Sequence, residues 1–127
     1  INLRREDIFI TNTVLCSPRK ESGANRKPTV RETKNCANFL ARTIYLINPQ
    51  IIVTLGAVAL EGLRRIDYHN FTLKLEAASI LEWNSRLLIP LYHPSPQVIA
   101  SHRRMPEQLA DFQILKKAFE LKNNSQN

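Results

Sequence analysis

Glycine and cysteine are both scarce in this chain: 3 and 2 of 127 residues. Two thiols cannot build the multi-disulfide framework of a small secreted scaffold, so they are either reduced core thiols or part of a metal site. There is no internal repeat and no low-complexity tract, which excludes solenoids and flexible linkers. The longest apolar stretch, Ile51 to Leu60, is too short to span a bilayer, so no membrane association is expected. No signal segment is present, which makes a cytoplasmic (or nuclear) address the expectation. The first residue is Ile1 rather than Met, and the chain reads as a strand within a few residues; a natural start further upstream is expected.

What is present is the mix of an ordinary soluble domain, 43% hydrophobic and 23% charged residues. The length suits one domain, residues 1–127, with one modest core. Lys and Arg outnumber Asp and Glu by 18 to 11, a net charge of +7. Such an excess favours polyanionic partners, because each cation placed on a phosphate releases counterions. Plain solubility charge is the other reading.

Along the chain, Asp7 to Thr13 is rich in Ile, Phe and Thr and reads as a buried strand. Ser17 to Pro28 is a basic Gly/Pro/Ser loop. Thr29 with Glu32 forms a capping box that opens a helix, with Cys36, Phe39, Leu40 and Ile44 on one face, to about Asn48. Pro49 ends it. Gln50 to Leu55 is a near-continuous apolar strand, and after Gly56 a short helix runs from Ala57 to Ile66 with Leu60 and Leu63 inward. Asp67 to Ser85 is hard to read, although Ile80 to Trp83 and Leu87 to Tyr92 suit a hairpin about Asn84 and Ser85. Pro90 argues for an edge strand or a bulge. Pro106 to Leu121 reads as a closing helix and Lys122 to Asn127 as a frayed tail. The alternation predicts an α/β fold, a parallel sheet flanked by helices on both faces in a three-layer α/β/α sandwich.

Ligands bind such sheets beyond the carboxyl ends of the strands. Asn12, Gly56 and His93 stand at three such ends. The Asn12 carboxamide suits a nucleobase edge, and it can pair with the N3–H and O4 of uracil; an Asn that merely ends a strand is the plainer reading. The imidazole of His93, in the stiff segment HPSP, suits a developing negative charge, or it simply caps a turn. Gly56 and Ala57 let backbone N–H groups approach an anion at a helix start. Ser95 suits a phosphate oxygen, as do Arg19, Lys20, Arg26, Lys27, Arg103 and Arg104; solvated surface charge is the alternative for each cation. Cys36 reads as a small buried thiol, and Cys16 with Cys36 is not by itself a zinc signature.

Taken together, the segments FITNTVLCSP (Phe9 to Pro18), NRKPTVRETKNCANFL (Asn25 to Leu40), IIVTLGAVAL (Ile51 to Leu60) and LIPLYHPSP (Leu88 to Pro96) resemble the uracil-DNA glycosylase superfamily, nearest its iron–sulfur branch. Singly each is weak; in this order they are specific. The resemblance implies a DNA-repair enzyme, a hydrolase of the N-glycosidic bond of uracil in DNA, acting on a base flipped from the stack. It implies that Asn12 reads the base, that His93 hydrogen-bonds O2 as the uracil anion forms, and that Gly56 and Ala57 hold the DNA backbone. Gln97, after HPSP, stands where some members insert a residue into the duplex. Cys16 and Cys36 match the last two ligands of a [4Fe-4S] cluster whose other two ligands lie upstream in that branch. The family's first motif, a Gly-rich turn with the residue that handles the attacking water, has no counterpart here, so the chain alone is expected to be weak or inactive. Two rivals stand beside this reading: a glycosylase-like DNA-binding module without catalysis, and an unrelated nucleotide-binding α/β domain.

Overall fold

A computed structural model describes residues 3–13, 21–23 and 27–126. Helix α1 spans Val30–Ile47, with the Thr29 hydroxyl accepting from the Glu32 N–H at 3.2 Å. It ends where Asn48 turns left-handed, at φ 49°, just before Pro49. Both boundaries follow from local chemistry, as expected. The inward face carries Thr33, Leu40 and Ile44 with half-buried Cys36, whereas Phe39 points outward at 61% exposure. Phe39 lies one residue off the stripe that meets the sheet, so the expected four-residue face narrows by one.

Strands β1 (Ile51–Leu55), β2 (Leu81–Trp83) and β3 (Arg86–Leu91) form a three-stranded sheet in the order β1-β3-β2. β1 and β3 are parallel, and β2 is antiparallel to β3. The sheet is therefore small and mixed, where a parallel one was expected. The hairpin itself is the expected one, and its turn residues Asn84 and Ser85 both have positive φ, as a type I′ two-residue turn requires.

Pro90 is a correction: it is fully buried in the central strand. The N–H of Leu87 points to β1, donating to Gln50 O at 3.0 Å, so odd positions of β3 face β1 and even ones face β2. β2 reaches only as far as Leu88. The N–H that Pro90 lacks would thus face a place where the ladder has already ended, and the missing donor costs no bond. The Pro90 carbonyl is used, accepting from Ala78 N–H at 2.8 Å.

Alternate residues of β3 feed two cores. Leu88 packs with Ile44 of α1, with Trp83, and with Leu60 and Leu63 of α2 (Ala57–Arg64). Ile89 and Leu91 pack with Phe112 of α5 (Met105–Phe112) and with Ile114, Leu115 and Ala118 of α6 (Ile114–Ser125). Two short helices appear as well: α3 (Leu73–Glu76) in the stretch that is hard to read from sequence, and α4 (Pro96–Ser101) where a loop was expected after His93. The single closing helix expected from Pro106 is broken at Gln113, whose N–H reaches back only to Ala110 O. The tail also differs, since α6 stays helical to Ser125.

The expected first strand does not form. Residues Arg5–Asp7 make a 3₁₀ turn, and Ile8, Phe9 and Ile10 follow in non-ladder backbone at 44%, 63% and 61% exposure. Strand composition cannot act alone: a strand needs a neighbour to take its N–H and C=O groups. Among the described residues none flanks this segment. The edge of β1 away from β3 is likewise unpaired among them.

One buried group links fold to pH. His69 is 5% exposed; its Nε2 bonds Leu60 O at 2.8 Å and its Nδ1 accepts from the Phe71 N–H at 3.1 Å. Since a backbone N–H can only donate, the proton sits on Nε2 and the ring is neutral. Burial holds its pKa below the ordinary histidine range, with the Arg64 cation acting the same way and the Leu60 carbonyl and Asp67 opposing. The unfolded chain takes up a proton near pH 6.5 that the fold resists. Stability from this group is therefore full above that pH and falls as pH drops toward the lowered folded value. Thermal melts between pH 8 and 5 are expected to show a loss on the acid side that is smaller in His69→Gln; equal slopes would refute it.

Candidate active site

The carboxyl ends of β1 and β3 meet at Gly56. Its N–H donates to Leu91 O at 2.8 Å, which ties the two strand ends together. Gly56 lies at φ 91° and is the N-cap of α2. A side chain there would be strained, and its Cβ would lie 3.4 Å from the Cβ of His93. With no side-chain cap on α2, the first-turn N–H groups from Ala57 onward stay available to an anion.

His93 is exposed, and its ring makes no hydrogen bond among the described residues. Its backbone is held: Ser95 N–H donates to His93 O at 2.8 Å across Pro94. Such an i to i+2 closure with a proline at its centre stiffens the turn. Ser95 is the N-cap of α4, accepting from Val98 N–H at 3.4 Å. That bond uses the oxygen, and the hydroxyl proton remains to be donated. Gln97 lies in the first turn of α4, exposed.

Asn12 is exposed and is joined to this rim through its neighbour. The side chain of Thr13 lies over Gly62 of α2, the helix that starts at Gly56. The structure thus brings Gly56, Ala57, His93 and Ser95 together directly, and tethers Asn12 to the same helix. Sequence reading missed Gly62. The signal was available, because a glycine inside a helix costs about 1 kcal/mol relative to Ala and so points to a packing reason.

Arg103 does not stand free for a phosphate. Its Nε and Nη2 bind Asp111 Oδ2 and Oδ1 at 2.9 and 2.8 Å, a bidentate pair. Arg104 and Lys27 remain exposed. Arg19, Lys20 and Arg26 lie outside the described residues, as does Cys16. Cys36 is a free, half-buried thiol on α1. A four-iron cluster takes four thiolates, and the chain has two cysteines. No three His, Cys, Asp or Glu side chains gather as a metal site among the described residues. The residues present do not complete such a site.

A strand–Gly–helix turn lies beside the His-Pro-Ser-Pro segment, and one family model spans both. The model described as the uracil DNA glycosylase superfamily matches residues 1–116. The chain belongs to the uracil-DNA glycosylase superfamily. A type-4 uracil-DNA glycosylase of Thermotoga maritima is 37% identical over 94 residues, 73% of this chain and 46% of that protein. The type-4 protein of Archaeoglobus fulgidus is 34% identical over 100 residues, 75% of this chain and 48% of its own. A type-5 uracil-DNA glycosylase of Pyrobaculum aerophilum is 27% identical over 111 residues, 87% of this chain and 46% of its own. These names fit the branch that the cysteine-bearing segments resemble. The chain spans about half the length of the curated relatives it matches. No helix among the described residues is long and apolar enough to cross a membrane.

Proposed function

We propose that this chain, as one glycosylase domain over residues 1–127, forms the base-recognising and leaving-group side of a DNA-repair enzyme that hydrolyses the N-glycosidic bond of uracil in DNA. The observation that carries this is the abutment of Gly56 and His93 at the joined ends of β1 and β3. It sets an imidazole that makes no hydrogen bond among the described residues beside the open start of a helix, where a DNA phosphate and a base can be held together. In this reading Gly56, having no side chain, lets the backbone of the flipped nucleotide approach the first-turn N–H groups of α2 from Ala57 onward, which hold it, with Ser95 donating to a phosphate oxygen. The Asn12 carboxamide pairs with N3–H and O4 of uracil, an order of donor and acceptor that cytosine reverses.

As the C1′–N1 bond breaks, its electron pair passes into the ring and charge grows on O2. A proton donor on His93 nitrogen meets that charge, lowering the barrier without moving. The sugar becomes oxocarbenium-like and is captured by water. No residue in 1–127 matches the family's water-handling motif. Cys16 and Cys36 supply two thiolates of a four-iron cluster in this reading, and no step of the reaction passes through it. The complete fold is the three-layer α/β/α sandwich, with the two cores as its interlayer contacts, and the cell compartment is cytoplasmic.

The test is uracil release from a uracil-containing single-stranded oligonucleotide by the full-length protein. Asn12→Ala is expected to lower kcat/KM about 100-fold, since a lost base pairing leaves the site's geometry unenforced. Full activity in Asn12→Ala would remove Asn12 from the site. Tight binding of the oligonucleotide by the wild type with no release would favour the non-catalytic module.

A further inference from the structure

We propose that Gly62 is a positioning residue: the space left by its absent side chain seats Thr13 and thereby fixes Asn12 on the helix whose first turn abuts His93. This rests on the reading of Asn12 as the base-recognising residue. Gly62 is buried within α2. A Cβ built on it would fall well inside contact distance of Thr13 Cγ2, with Thr13 Cβ at 3.4 Å and Oγ1 at 3.5 Å. The whole side chain of Thr13 therefore lies against that one backbone position. A β-branched residue has few χ1 alternatives, so it cannot easily swing its methyl away.

The seat matters because, among the described residues, the segment before it pairs with no strand. Ile8, Phe9 and Ile10 are exposed. Without the contact at Thr13, the adjacent Asn12 would have no fixed distance from the rest of the rim. Gly62 is six residues from Gly56, about 9 Å along a rigid helix axis at 1.5 Å per residue. Helix α2 thus acts as a spacer: Gly56 at one end meets His93, and Gly62 further along meets Thr13. The two glycines set where the two ends of a bound base are gripped.

Gly62→Ala tests this. The added methyl should push Thr13 away and move Asn12, lowering kcat for uracil release at least about tenfold, as displacements near 1 Å do. KM should change less than about twofold, because DNA affinity comes mainly from phosphate contacts. Gly62→Ala with Thr13→Ala removes the clashing methyl and should return kcat to within about threefold of wild type, a coupling that independent sites do not show. A second readout needs no uracil: chymotryptic cleavage after Phe9 should be faster in Gly62→Ala and slower again in the double variant, all proteins being matched for folded fraction by circular dichroism. Unchanged kcat in Gly62→Ala, or a double variant as impaired as the single one, would overturn the positioning role. Changed cleavage with unchanged kcat would do the same. Wild-type protein that releases no uracil would instead sink the proposed function, and cleavage after Phe9 would still decide whether Gly62 seats Thr13.

Discussion

His93→Ala is expected to lower kcat for uracil release by about 100- to 1,000-fold, the loss seen when a single anion-stabilising donor is removed. Melting of the folded protein should hardly move, within about 0.5 kcal/mol, as for other exposed positions without special partners. The separation of the two effects follows from the geometry. The imidazole makes no hydrogen bond among the described residues, and the turn it belongs to closes through backbone atoms, from Ser95 N–H to His93 O. Alanine keeps that closure and loses only the donor. His93→Gln restores an N–H on a side chain of different reach and should recover part of the rate. A fall in melting temperature that accounts for the lost activity would return His93 to the role of a turn residue. Full kcat in the alanine variant would remove it from the mechanism.

Arg103→Ala carries the largest expected effect on stability, about 2–4 kcal/mol, read from thermal or urea unfolding. Its guanidinium is the bidentate partner of Asp111, whose side chain is 9% exposed. Removing the cation leaves a buried carboxylate without its partner, and an orphaned buried charge costs more than the intact pair contributes. Replacing both residues, Arg103→Met with Asp111→Leu, should therefore recover most of the loss. The pair also decides a question of partners. If Arg103 served a phosphate, its removal would lower the salt dependence of DNA binding by about one unit of slope; the observed pairing predicts an unchanged slope. An Arg103→Ala protein as stable as wild type would refute the structural role.

Features encoded within a few residues were legible in the sequence. Thr29, Glu32 and Pro49 mark α1 because capping and termination are local, and Asn84–Ser85 marks the hairpin because its turn demands particular backbone angles. The apolar runs of β1 and β3 were equally clear, and Gly56 and His93 were recognisable as strand-end residues that the fold places side by side. What failed was non-local. Asp7 to Thr13 has strand composition, yet pairing depends on a neighbour that composition does not supply. Pro90 suggested an edge, but its acceptability depends on where β2 stops. Arg103 looked like any surface cation until the fold brought Asp111 to it, eight residues on and across the α5 start. The break at Gln113 has no proline or glycine behind it, and nothing in the structure explains it.

The edge of β1 that no described residue pairs has a consequence for how the chain behaves in concentrated solution. IIVTL carries no charge, no proline and no lysine, the devices by which edge strands repel one another. A positive net charge of +7 keeps copies apart at long range. That repulsion is screened within about 10 Å at 0.1 M salt, whereas backbone pairing at contact is not. Salt should therefore remove the barrier to edge-to-edge self-adhesion, and under the proposed function it would at the same time weaken the hold on DNA phosphates.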